Sequence, residues 1–233
     1  MENDTQRYRE DYRERYLPAG YRGVAHGVLV ALAGATMFGV AAWQVDWHRA
    51  ARLWWVVPAT FVLANIVEYL VHRFIMHREL PALRAMFDRH TRRHHRYFTR
   101  SDIEVTAAHD MHAVLFPPVL LVFFTLIAVG FATPLALAFG IDAGRLFFLV
   151  ALGYYLAYEV LHLLAHWPLR GTLARSALVR TVINHHRLHH EPPLMRRGNF
   201  NIVLPLGDWL FGTLHRDAPP LAQTDKPTPG PSA

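Results

Sequence analysis

Histidine falls in four spaced motifs. They are HxxxxH at His72 and His77, HxxxHH at His90, His94 and His95, HxxxH at His162 and His166, and HxxHH at His186, His189 and His190, the last within "NHHRLHHE" at 184–191. Neutral imidazole is a ligand for iron, zinc, copper or nickel. On a helix, residues i and i+4 lie about 40° apart and i and i+3 about 60° apart, so their side chains meet. His162 and His166 can therefore share one ion, as can His90 with His94, and His186 with His189 or His190. Adjacent His94 and His95 diverge by about 100°, which suits two neighbouring ions better than one. The i,i+5 pair His72/His77 diverges by about 140° and needs a bend or two ions. The doubled histidines thus predict a two-metal centre held among helix ends.

A lone HxxxH is usually an ordinary surface pair, and a doubled histidine can be a solvated or pH-sensing patch. Their distribution argues otherwise. Thirteen of the sixteen histidines fall within 72–112 and 162–190, leaving only His26, His48 and His215 outside. His162 and His166 end an apolar run, where an ionisable group is costly unless it serves a function. The chain has no cysteine, which excludes disulfides, thiolate metal sites and a protein-bound iron–sulfur cluster. The donor set is nearly all nitrogen, completed by water and a carboxylate. Glu68 lies four residues before His72, and Glu159 three before His162 and seven before His166. Both fall on histidine-bearing faces and are candidates to orient a metal-bound imidazole through its other nitrogen. His109, Asp110 and His112 have no assigned role.

These residues must be positioned by very apolar elements. Of 233 residues, 52% are hydrophobic and only 18% charged, against roughly 25% charged in an average soluble chain. Four segments stand out: 23–47, 53–72, 113–140 (interrupted by Pro117, Pro118 and Pro134) and 146–167. About 20 apolar residues cross a bilayer core of roughly 30 Å as a helix. A soluble bundle would need a polar face on each helix, which these segments lack. The first is not a cleavable signal, because a long charged stretch precedes it and its apolar run is too long. The expected fold is an all-α integral membrane protein, with four transmembrane helices and a cytoplasmic helical cap holding the histidine site. Its expected parts are an N-terminal segment at 1–22, a membrane-embedded domain at 23–215 and a disordered Pro-rich tail at 216–233.

The formal net charge is +6, and Lys226 is the only lysine. Eight arginines lie between 73 and 100 and six between 170 and 197, whereas 48–52 carries only Arg49 and Arg52, and 141–145 only Arg145. The positive-inside rule places the N-terminus, 72–112 and 167–215 in the cytoplasm. Because the arginines track membrane topology, nucleic-acid binding is not expected. A divalent-metal transporter would be expected to carry its ligands near the bilayer midplane, and the middles of these spans lack histidine and acid.

Together with "NFNIVLPLGDWLFGT" at 199–213, this histidine series resembles the fatty acid hydroxylase superfamily, which includes sterol desaturases, fatty-acid and ceramide 2-hydroxylases and carotenoid hydroxylases. The resemblance covers roughly 55–215. It implies ten histidine ligands: His72, His77, His90, His94, His95, His162, His166, His186, His189 and His190. His185 is extra to the fourth motif and reads as a supporting or surface residue. The resemblance further implies two iron ions (zinc is possible as purified), with O2 as co-substrate. The implied reaction is oxidation of an unactivated C–H bond in a membrane lipid such as a fatty acyl, sterol-like or isoprenoid chain. Hydroxylation is the expected outcome. Desaturation or carotenoid hydroxylation at the same site is the alternative, and a membrane divalent-metal binding or transport protein is the non-enzyme alternative. The sequence contains no dinucleotide fingerprint and no room for a cytochrome-like domain. Electrons are therefore expected from a separate donor, a ferredoxin or cytochrome with its reductase. The arginine-rich face could dock such an acidic carrier or anionic lipid headgroups. The expected location is a bacterial inner membrane, with termini and metal site facing the cytoplasm.

Overall fold

Apolar sequence without polar faces becomes long helices in the computed structural model, which describes residues 4–216. No strand occurs among the described residues. A short helix α1 (Asp4–Tyr16) precedes α2 (Gly23–Trp43). Then come α3 (Val56–Val71), α4 (Val119–Phe139) and α5 (Ile141–His166), followed by α6 (Ala177–His189) and α7 (Leu206–Leu210). Four stretches are long and apolar enough to cross a membrane: Gly23–Trp43, Val56–Met76, Ala108–Phe139 and Ile141–His166. The protein is an integral membrane protein. The Pro-rich tail beyond 216 lies outside the described residues.

The fourth span is the centre of the bundle. Half of its most apolar window is buried, against 17–28% for the other three, which turn large apolar side chains such as Leu32, Val122 and Leu126 outward. That outward face suits lipid and would be ruinous in water.

Three boundaries differ from the sequence reading, each for a local reason. The expected connection at 141–145 does not exist. Gly140, at φ 96°, makes the turn alone, and α5 begins at Ile141 with Arg145 donating to Asp142 at 3.2 Å one turn on. The hairpin closes tightly because a Cβ at Gly144 would lie 2.7 Å from the Ala132 carbonyl oxygen. Pro134 does not interrupt the third span, since α4 runs through it, as proline is tolerated in membrane helices. The break falls only at Leu115–Pro118, where extended Leu115 precedes the two prolines. The second span continues past His72 as a π-helical turn, His72–Met76.

At the far end, Asp46 accepts from His48 N and Arg49 N at 3.1 and 3.2 Å, and its own N–H reaches Asp142 at 3.2 Å. At the other end, α1, the 72–112 segment and the 167–215 segment meet, as the histidine contacts below show. One end of the bundle therefore gathers both histidine blocks and the N-terminal helix.

Candidate metal centre

The structure brings all ten motif histidines together, and none exposes more than 8% of its surface. Five form one group, His72, His77, His90, His95 and His189, with one nitrogen from each within 4.8 Å of the others. His94, His166, His186 and His190 form a second such group. His162 joins the second through its Nε2, 3.2 Å from Nε2 of His94. The groups adjoin, with the rings of His95 and His190 4.2 Å apart.

Local helix geometry decides this sorting. The π-helical turn at His72–Met76 widens the winding, so the i,i+5 pair His72/His77 enters one cluster with ring centroids 5.1 Å apart. Of the two alternatives the spacing leaves open, a bend or two ions, the structure shows a bend. A second π-helical segment, Asp88–His94, does the same for His90 and His95, whose Nε2 atoms are 3.1 Å apart. The spacing allows His90 and His94 to share an ion, but the structure places His94 in the other group. His94 and His95 do serve separate clusters, as expected. On regular α6 the ordinary i,i+4 rule holds, and the Nε2 atoms of His186 and His190 lie 3.0 Å apart.

Hydrogen bonds fix which nitrogen is free. Backbone carbonyls accept the Nδ1 protons of five rings: Phe200 from His72, Ala113 from His94 (2.9 Å), Ile103 from His166 (2.8 Å), Gly198 from His189 (3.0 Å) and Phe98 from His190 (2.7 Å). The Thr91 hydroxyl donates to Met76 O at 2.6 Å and so accepts from His77 Nδ1 at 3.0 Å. In each of these six imidazoles Nε2 is then a bare lone pair. Yet His77 Nε2 faces His189 Nε2 at 3.0 Å, and His94 Nε2 faces His190 Nε2 at 3.2 Å. Two lone pairs at that distance repel unless a cation lies among them.

Protons are poor candidates for that cation. Burial, reinforced by neighbouring imidazoles, pushes His94 down to about 3 and holds His189 and His190 well below the ordinary imidazole range. Nitrogens bonded to one metal ion at ~2.1 Å sit about 3 Å from each other, which is the spacing found here. The clusters could therefore hold metal ions.

Among the described residues, Glu68 and Glu159 accept no hydrogen bond from a histidine. The Glu68 carboxylate accepts from Tyr154 OH, from Asn201 Nδ2 at 3.1 Å and from Ile202 N. That of Glu159 accepts from Phe116 N at 3.3 Å and Tyr155 OH at 3.0 Å. Each instead anchors a segment whose carbonyl orients a histidine, Phe200 for His72 and Ala113 for His94.

Asp208 escaped sequence reasoning. It is fully buried and accepts from Phe200 N at 2.9 Å, Asn201 N at 2.8 Å and Thr213 Oγ1 at 2.7 Å. Burial alone would raise its carboxyl, but hydrogen bonds hold it below the usual value. The family-like ending at 199–213 was the available signal, since it contains Asp208. His185 joins neither cluster, and its Nε2 stands 3.5 Å from Asp208 Oδ2. His112 Nδ1 meets Tyr12 OH at 2.9 Å, and His109 lies 3.3 Å from Asp110.

An apolar cavity of about 250 Å³ lies among α3, α4 and α5. Leu63, Val67, Phe124 and Ile127 line it, and His72, Glu68 and Tyr154 mark its polar edge. Leu63, Val67 and Ile127 are also exposed on the outside of the bundle, so the cavity opens sideways towards lipid. A binding site of this kind, apolar with a few convergent polar groups, is built for an apolar ligand.

Four apolar spans, a histidine-lined end and a cavity between them define a membrane-embedded, lipid-facing candidate metalloprotein. Residues 57–213 match the fatty acid hydroxylase family, and the chain belongs to that family. No curated protein and no solved structure gives a significant match.

Proposed function

We propose that this chain is an O2-dependent di-iron oxygenase that hydroxylates an unactivated C–H bond in the chain of a bilayer lipid. The observation that carries the reading is the apolar cavity that opens towards lipid and ends on His72 of the first histidine cluster. In this reading His72, His77, His90, His95 and His189 hold one ion, and His94, His162, His166, His186 and His190 the other.

Bound iron would supply activation of O2 and the two-electron oxidation, with electrons delivered by a separate ferredoxin or cytochrome with its reductase. The chain's own residues do the rest. Backbone carbonyls keep the imidazole tautomers that leave Nε2 free. The spans exclude water from the reacting carbon, which limits side reactions. Glu68 and Glu159 act by anchoring the carbonyl-bearing segments. The arginine-rich end faces the cytoplasm of a bacterial inner membrane, where an acidic electron carrier docks.

Lipid extracts of a deletion strain and its complemented partner test this reading. A lipid gaining one oxygen atom should appear only with the intact gene. A lipid losing two hydrogens would instead make the enzyme a desaturase, and no difference would contradict both. Filling the cavity separates substrate from metal. Ala128 lines it on α4, and Ala128→Phe should keep both ions while product formation drops about 100-fold, the order expected for a misplaced substrate.

A further inference from the structure

We infer that the N-terminal helix α1 is a positioning part of the second histidine cluster, and that Arg9 is its working residue. The inference rests on the metal-centre reading above. It extends that reading to a segment outside the family match, which begins at residue 57.

Arg9 is completely buried although it is an arginine on a short helix outside the four spans. Two of its three guanidinium nitrogens donate to backbone, while the buried Nη1 has no hydrogen-bond partner among the described residues. Nε donates to Tyr97 O at 2.9 Å, and Nη2 donates to Asp102 O and, at 3.2 Å, to Glu104 O. The group also lies over the rings of Tyr97 and Phe98, 5.0 and 5.4 Å from their centroids. These contacts bracket two carbonyls, Phe98 O and Ile103 O, which accept the Nδ1 protons of His190 and His166. Both histidines belong to the second cluster. Arg9 therefore pins the loop on either side of the two atoms that orient them. Loss of a partner that orients a metal-bound imidazole through its other nitrogen typically costs about 10–100-fold in metal affinity or activity.

The rest of α1 holds Arg9 in place. Tyr12 is buried and packs edge-on against Tyr97 at 4.9 Å. Arg13 pairs with buried Asp110 at 2.9 Å, and Asp110 in turn accepts from Thr106 N and Ala107 N at 2.9 and 3.0 Å. None of these hydrogen bonds or ring contacts is made to a histidine of the first cluster. The carbonyls serving its histidines, Gly198 and Phe200, come from the other end of the chain.

The test exploits that asymmetry in full-length, detergent-purified protein titrated with cobalt(II) against a competing chelator. Two backgrounds leave one cluster each: His77→Ala with His189→Ala leaves the second, and His94→Ala with His190→Ala leaves the first. Arg9→Gln should weaken cobalt binding several-fold where only the second cluster remains, up to the about 10–100-fold typical when an imidazole's own outer partner is lost. It should leave binding unchanged where only the first remains. Arg9→Lys keeps the charge but lacks the rigid fork, so it should show the same selective loss at smaller size, and it carries the test if Arg9→Gln does not fold. Equal losses in both backgrounds, or none in either, would overturn the inference while the metal centre stands. An unsubstituted chain that binds no cobalt would overturn the metal-centre reading and this inference with it.

Discussion

Replacing His189 by alanine should remove one metal ion and abolish lipid oxidation, and replacing His190 should remove the other ion with the same loss of activity. The two residues are neighbours on one helix end, yet His189 belongs to the first cluster and His190 to the second. His189→Ala leaves His77 Nε2 without the nitrogen it faces at 3.0 Å, and His190→Ala does the same to His94 at 3.2 Å. Losing an outer partner typically costs about 10–100-fold in affinity or activity, and losing a ligand costs more because the coordination position itself opens. His185→Ala, whose lost imidazole stands 3.5 Å from Asp208, should keep both ions and part of the activity. His215→Ala should behave as the parent protein does. Metal content and product formation, measured on the same preparations, check the set. Full activity with both ions in His189→Ala and His190→Ala would make these imidazoles structural.

Acid should destabilise the metal-free protein steeply. Burial is the main cause that pushes His77 down to about 2 and His94 to about 3, and it holds His90, His95, His186, His189 and His190 well below the ordinary value of 6.5. The folded pKa values are thus depressed, while the unfolded chain titrates near 6.5. Between those limits the unfolded state binds more protons, so stability falls as pH falls through about 6.5. Each such group contributes a slope of about 1.4 kcal/mol per pH unit. Several groups act together, so the melting temperature of the metal-free protein should be level above about pH 7.5 and drop sharply below about pH 6.5. Metal competes with protons for the same nitrogens, so loading should move the drop to lower pH. Thermal unfolding of both forms across this range reads the effect directly. A metal-free protein equally stable at all these pH values would mean that its histidines are not held neutral.

The contrast between what the sequence showed and what it hid follows from the range of each signal. Helix periodicity and hydropathy are local, so four spans were legible from the apolar runs alone. The histidine motifs were legible because ligands of one site recur at short spacing, and all ten converge. The partition between two clusters was only half legible. Ordinary α spacing pairs His90 with His94, and nothing local in Asp88–His94 announces the π-helical winding that pairs His90 with His95 instead. Backbone carbonyls carry no side-chain signature, so Ala113, Phe98, Ile103, Gly198 and Phe200 could not be read as partners of the imidazoles. Glu68 and Glu159 fell on the right helical faces but reach backbone and tyrosine rather than histidine. Arg9 left only a faint trace, because Thr5, Arg9 and Tyr12 recur at helical spacing and form the buried face of α1.

The proposed chemistry requires two ions held by two groups of histidines. Elemental analysis of detergent-purified protein, reconstituted with iron under anaerobic conditions and freed of loosely bound metal, measures that directly. The expected result is close to two ions per chain, falling to one in His189→Ala and one in His190→Ala. A well-folded chain that retains no ion, or only a single ion that neither substitution displaces, would contradict it.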